Sequence, residues 1–229
     1  MKTKDFWCGL GEIAAASPLF LFAPLYRRRH LCWGATDAEV GAAMPGDELV
    51  PHPSFNTTRA ITIDAPPDDV WPWLIQIGYG RAGFYSYDLF DNAGRPSADR
   101  IIPEHQQPAV GDWMPMAANV NETTAFKIKA FEPNRFLLWE KPHSTWAWKL
   151  ELRDGGRTRL VTRLKDHYPW RAKPANALLS LILSEFGDFS MMRKLLLGVK
   201  RRAEKNPGRR RGQTPPAPAA AARPLVSET

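Results

Sequence analysis

Cysteine is nearly absent. Cys8 and Cys32 are the only two in 229 residues, and both lie near the N-terminus. That excludes a disulfide framework and a zinc pattern built on paired cysteines, and it is compatible with a reducing compartment. The five histidines, His30, His52, His105, His143 and His167, are scattered, with no H-x-x-x-H or H-E-x-x-H spacing. No metal site and no cofactor are expected from this pattern. Ser86 sits in Tyr-Ser-Tyr, outside the G-x-S-x-G context of a nucleophile elbow. The chain has no internal repeats and carries no catalytic motif.

What the chain does have is apolar and aromatic bulk. Hydrophobic residues make up 44% and aromatic residues 11%, with nine tryptophans, enough for one main domain flanked by tails. The net charge of +7 is unevenly spread. Residues 1–29 hold 5 Lys/Arg against 2 Asp/Glu, residues 193–229 hold 10 against 2, and the body between them is mildly acidic. A nucleic-acid-binding fold more often carries its positive charge on the body, so nucleic-acid binding is confined to a reading that uses the basic tail.

Residues 59–90 organise the rest. Ile61 and Ile63 alternate with Thr62 and Asp64 as a half-buried strand. Ala65-Pro66-Pro67 stops it, and proline suits the first turn of a helix. Asp68 and Asp69 complement the helix dipole, and Val70, Trp73, Leu74 and Ile77 form one apolar face. Gly78, Gly80 and Gly83 then break the chain before Phe84, Tyr85, Tyr87 and Phe90. These glycines match G-x-G-x-x-G, but a dinucleotide site needs a preceding parallel strand and a following full helix. The pattern is read here as a sharp turn between two short helices.

Further strands are predicted from Asp99-Arg100-Ile101-Ile102-Pro103, around Trp113-Met114-Pro115-Met116, at Phe126/Ile128/Ala130, over residues 135–140, at Trp146/Trp148/Leu150/Leu152, and over residues 158–165. Asp154-Gly155-Gly156 marks the hairpin turn between the last two. Pro174 opens a long helix with Leu178, Ile182, Phe186, Phe189, Met192, Leu196 and Val199 as a continuous apolar stripe. Residues 30–57 read as an irregular lead-in in which Thr36-Asp37-Ala38-Glu39 caps one helical turn. Residues 206–229, basic and rich in Pro and Ala, read as a disordered tail. Residues 6–26 are mostly apolar and precede Arg27-Arg28-Arg29. They read either as a membrane anchor with a cytoplasmic basic flank or as an arm packed on the domain. Glu12, Gly9, Gly11, Pro18 and Pro24 weaken a spanning helix, and no cleavage site follows for a signal peptide.

The strand ending IDAPPDDVWPWL, the turn GRAGFYSYD and the C-terminal MMRKLLLGVKRRAE resemble the START-like superfamily, also called SRPBCC or the polyketide cyclase/dehydrase and lipid-transport group. WGATDAEV and PGDELVP resemble a bacterial subgroup of it. The resemblance implies an α+β helix-grip fold over residues 58–205. In it a curved antiparallel sheet wraps a long C-terminal helix, two short helices follow the first strand, and a cavity lies between sheet and helix. It also implies binding or carriage of a hydrophobic small molecule or lipid, or cyclase/aromatase-like or hydratase-like chemistry in the same cavity.

Candidate wall residues are Phe84, Tyr85, Tyr87, Trp113, Phe126, Trp146, Trp148, Glu185 and Phe186, with Trp146 and Trp148 on one strand face. Asp99, Arg100 and Arg163 are further polar candidates. For chemistry, Tyr87 and Asp99 are the first choices as titratable groups. The basic runs near residues 200–205 and 209–211 could meet anionic lipid headgroups, which places the protein in the cytoplasm or at the cytoplasmic face of a membrane.

Overall fold

The computed structural model describes residues 3–168 and 174–205; the 206–229 tail lies outside them. Six strands form one antiparallel sheet: β1 (Phe55–Ile63), β2 (Trp113–Pro115), β3 (Ala125–Glu132), β4 (Phe136–Lys141), β5 (Ser144–Arg153) and β6 (Arg157–Asp166). The order is β1-β6-β5-β4-β3-β2. The chain therefore starts on one edge, crosses to the other through the connection after β1, and meanders back. This curved sheet with its C-terminal helix is the α+β helix-grip architecture.

Side-chain alternation sets the layers. Antiparallel register aligns Arg59, Thr162, Trp148 and Leu137 in one row across the sheet. The next row holds Thr57, Leu164, Trp146 and Trp139, and the row at the rim holds Phe55, Asp166, Ser144 and Lys141. Their inner face is covered by α4 (Pro67–Ile75) and α7 (Asp188–Glu204). Val70, Trp73 and Leu74 from α4 and Met192, Leu195, Leu196 and Val199 from α7 join Leu137, Trp139, Trp146, Trp148 and Leu160 in the main core.

Between α4 and α5 (Asp88–Asp91), Gly78, Gly80 and Gly83 all take positive φ, and Gly78 bridges Gly83. This is the turn expected of the glycine pattern. Residues 99–103 are a correction: they form no strand. The Gln76 side chain takes their backbone bonds instead, donating to Arg100 O at 3.1 Å and accepting from Ile102 N at 3.0 Å. A buried amide thus stands where a neighbouring strand would.

The C-terminal stripe also differs from expectation. The helix consists of α6 (Pro174–Ile182), a π-helical turn (Leu183–Gly187) and α7. A π-turn inserts a residue and rotates everything before it. Phe189, Met192, Leu196 and Val199 face the core, whereas Leu178, Ile182 and Phe186 are exposed.

Residues 30–57 are more ordered than the expected irregular lead-in. They end α2 (Arg27–Leu31), form α3 (Asp37–Gly41) and run on across the outer face of the sheet. The Thr36/Glu39 capping box is formed. Met44 packs on Ala60, Leu138, Ala147 and Val161. Arg163 donates to the carbonyls of Glu39, Val40 and Ala42 and to the Asp47 carboxylate, and Arg159 grips Glu39 with two bonds. The segment straps the outer face of the sheet.

The N-terminal residues form α1 (Thr3–Leu21), which packs on α5, α7 and the π-turn. Among the described residues no helix is long and apolar enough to cross a membrane.

Candidate ligand-binding site

The densest chemistry of the inner face is aromatic. The Trp146 and Trp148 rings, two apart on β5, lie tilted with centroids 4.9 Å apart. Trp139 on β4 meets Trp146 edge-on at 5.2 Å and Trp148 at 5.7 Å. Phe126 on β3 closes the group at 6.0 Å from Trp146 and 6.5 Å from Trp139. Such edge-to-face and offset contacts add about 0.5–1.5 kcal/mol per pair beyond area burial.

Hydrogen bonding in this group is incomplete. The Trp146 indole donates to Thr162 Oγ1 at 2.9 Å, and the Thr162 hydroxyl donates on to Ala147 O. The indole N–H groups of Trp139 and Trp148 are buried and have no acceptor among the described residues. A buried donor left unpaired costs about 1–3 kcal/mol. Two of them in one cluster make the inner face a donor-bearing apolar wall.

Tyr85, in the same core, is fixed. Tyr85, at φ 57°, donates its hydroxyl to Trp73 O at 3.1 Å and accepts from Gln76 Nε2 at 2.9 Å. The Arg202 guanidinium covers its ring at 4.3 Å. Burial pushes the Tyr85 hydroxyl well above the usual phenol range, so it serves as a structural tie rather than as an acid. Phe84 packs in the same core.

Among the described residues two surface clefts stand out, and neither is bordered by Trp146 or Trp148. The larger, about 280 Å³, lies at the sheet rim between Leu49 and Val50 of the strap and Trp113, Lys127, Lys141 and His143. Lys127 Nζ sits 4.3 Å above the Trp113 ring, and Lys141 Nζ sits 4.8 Å above the Phe126 ring. Lys141 therefore lines the cleft and touches the aromatic cluster at once. Among the described residues it forms no salt bridge. Burial lowers its amine pKa, and Asp166 in the same row acts against that. Burial raises the Asp166 pKa, opposed first by Lys141.

The smaller cleft, about 210 Å³, lies between α1 and α5 and is lined by Cys8, Glu12, Tyr87 and Asp88. Lys194 bonds Glu12 at 2.7 Å and covers the Tyr87 ring at 4.0 Å. A third polar cluster ties the helices to β1: buried Arg59 donates to His30 O at 2.7 Å and pairs with Asp188 at 2.6 Å, and Glu185 holds Arg27.

The structure thus brings Phe126, Trp146 and Trp148 together, with Phe84 and Tyr85 in the same packed core. Trp113 lies at the rim cleft and Tyr87 at the other cleft. Glu185 is engaged by Arg27, Phe186 is exposed, Arg163 serves the strap, and Asp99 and Arg100 are exposed. Trp139, Lys141 and Asp166 were missed by sequence reasoning. The alternation Leu137/Trp139/Lys141 across β4 carried the signal for the first two.

No family model matches the sequence, and no curated protein does. Among solved structures, the Polyketide_cyc-like protein Cgl2372 from Corynebacterium glutamicum is 17% identical, covering 69% of this chain and 97% of its own, with a TM-score of 0.42. MLL2253 from Mesorhizobium loti is 18% identical over 64% of this chain and 97% of its own, at 0.36. CalU16 from Micromonospora echinospora is 18% identical over 66% and 84%, at 0.31. Strand order, the two short helices after β1 and the C-terminal helix make this the START-like, helix-grip fold.

Proposed function

We propose that the protein binds an apolar small molecule against the aromatic inner face of its sheet, admitted through the rim cleft beside Lys141. The observation that carries this reading is the pair of buried, acceptor-less indole N–H groups of Trp139 and Trp148. A ligand with an apolar body and an oxygen acceptor would satisfy them, as small-molecule sites commonly combine apolar walls with a few placed polar groups. Carriage is favoured over cyclase-like or hydratase-like chemistry: Tyr87 and Asp99, the titratable candidates, lie away from these rings, and Tyr85 is fully hydrogen-bonded. The test is native mass spectrometry of the purified full chain together with quenching of tryptophan fluorescence by added apolar ligands. A retained or bound apolar compound is expected; no retained mass and no quenching by any apolar ligand would overturn the reading.

A second element concerns location. Trp7, Leu10, Leu21 and Phe22 on or just after α1, Leu25, and Leu178, Ile182 and Phe186 near the π-turn are all exposed, Leu25 at 82%. α1 contacts the π-turn that carries Phe186, and Arg29, a few residues after Leu25, is exposed. Such an apolar surface with a basic flank suits the interface of an anionic bilayer. Flotation with vesicles containing phosphatidylserine is expected to carry the wild-type chain, and the triple variant Leu21→Ser, Phe22→Ser, Leu25→Ser is expected to stay behind. Equal flotation of both would remove the membrane from the proposal.

A further inference from the structure

We infer that the rim cleft is a headgroup site for a singly charged apolar acid, whose carboxylate pairs with Lys141 while its apolar body runs over Phe126 toward Trp146. This rests on the binding reading above and names its ligand class. Three observations converge. First, Lys141 occupies the boundary: it lines the 280 Å³ cleft, and its ammonium lies 4.8 Å from the centroid of Phe126, a member of the buried aromatic cluster. Second, its neighbours are already engaged. Glu140 pairs with Lys129 at 2.9 Å and Glu122 with Lys127 at 3.9 Å, whereas Lys141 forms no salt bridge among the described residues. A half-buried cation without a counter-ion is unfavourable and is relieved by an incoming anion.

Third, the charge balance selects one negative charge. The single internal carboxyl facing Lys141 along its cross-sheet row is Asp166, with Ser144 between them. Among the described residues Asp166 forms no ion pair with Lys141, whose ammonium instead lies over the Phe126 ring beside the cleft, so the lysine has room for a ligand carboxylate. Glu122 and Glu140 at the cleft wall would repel a dianion. The nearest ring inward of the Lys141 ammonium is Phe126, which suits an apolar remainder of the ligand.

The experiment compares cis-parinaric acid with its methyl ester, read by the gain in polyene fluorescence on binding to the full chain at neutral pH. A charge-assisted contact is worth about 1.5–3 kcal/mol, so the acid is expected to bind the wild type about tenfold or more tighter than the ester. Lys141→Met and Lys141→Gln are each expected to bring the acid down to the ester's affinity while leaving the ester unchanged. Lys127→Met, which alters the same cleft, is expected to keep the preference. Equal affinity of acid and ester for wild type overturns this inference alone, and so does a preference that survives Lys141→Met or vanishes with Lys127→Met. Tighter binding of decyl phosphate than of parinaric acid overturns the choice of a monoanion. Failure of both acid and ester to bind overturns the binding reading and this inference with it. The wild-type comparison decides even if a variant does not fold.

Discussion

Asp47 Oδ2 lies 2.6 Å from Arg163 Nη1 across a sequence separation of 116 residues. The same carboxylate accepts from Met44 N at 2.8 Å and meets Lys165 Nζ at 3.0 Å. Burial works against the charge, but these bonds and the two cations hold the Asp47 carboxyl below its usual range. Both cations are nearly buried, with side-chain exposures of 6% and 11%. Removing the anion leaves two uncompensated charges under the strap. Asp47→Ala is therefore expected to cost about 3–5 kcal/mol of unfolding free energy, the range for breaking a buried pair from one side. Urea denaturation measures it, and a loss below about 1 kcal/mol, the scale of exposed pairs, would show that the strap is held by other contacts.

A buried carboxyl near α1 works in the opposite sense. Asp91 is buried, and burial, followed by the nearby Asp88 charge, pushes its pKa up to about 7 against the pull of neighbouring backbone N–H groups. Lys194 partly counters this. The ordinary value is 3.8, so from there to about pH 7 the unfolded chain ionises while the folded chain holds its proton. Stability must fall as pH rises through this window and level off above it, by up to about 4 kcal/mol. Asp91→Asn removes the ionisation. Its melting temperature should match or trail the wild type near pH 4 and exceed it at pH 8. A constant difference between the two proteins from pH 4 to pH 8 would show that Asp91 ionises alike in both states. Glu39, held at about 2 by its bonds to Arg159, has the contrary sign: its contribution is complete above pH 4.5 and disappears as pH falls toward 2.

Gly198 tests the contact between α7 and the glycine turn. A Cβ there would stand 2.5 Å from Tyr85 O and 2.6 Å from Tyr85 Cβ. Helix propensity alone predicts that Gly→Ala stabilises by about 1 kcal/mol. The Tyr85 backbone is pinned by the bond its N–H donates to Ser97 Oγ and by its hydroxyl ties to Trp73 and Gln76, so it yields little. Gly198→Ala is expected to destabilise by about 1–3 kcal/mol as overpacking. A gain in thermal stability would mean that α7 moves freely over the turn.

The legibility of this fold in its sequence follows from where the partners of each residue lie. β5 and β6 were readable because Trp146/Trp148/Leu150 alternate with polar residues and Gly155 and Gly156 close the hairpin with positive φ. α4 was readable from Pro67, Asp68 and a local apolar spacing. The strap was not, because Arg159, Arg163 and Lys165 look solvent-facing until Glu39 and Asp47 arrive from more than 100 residues away. Residues 99–103 look like a strand until Gln76 takes their backbone bonds. The stripe of the long helix was read correctly from Phe189 onward and wrongly before it, since spacing carries no mark of a π-turn. For the site, alternation located Trp146 and Trp148, and Tyr85 shares their core, whereas Tyr87, two residues on, lines the cleft beside α1.

The indole pair offers the most direct test of the interior. Trp148→Phe keeps an aromatic ring against Trp139 and Trp146 and deletes a donor that has no acceptor among the described residues. The variant loses some packing volume but also loses an unsatisfied group, so its stability should change by less than the 3–5 kcal/mol typical of deleting a core tryptophan side chain. Ligand binding should respond differently. If the donor meets a ligand oxygen, affinity should fall about five- to tenfold, the worth of one hydrogen bond of about 1 kcal/mol or slightly more. Trp146→Phe is the contrast: its indole already serves Thr162, so that variant should lose stability with a smaller effect on affinity. Titration of each variant with cis-parinaric acid, alongside urea denaturation, separates the two effects. Equal affinities of wild type and Trp148→Phe would place the ligand away from this indole and move the search for its contacts outward, to Lys141 and the rim.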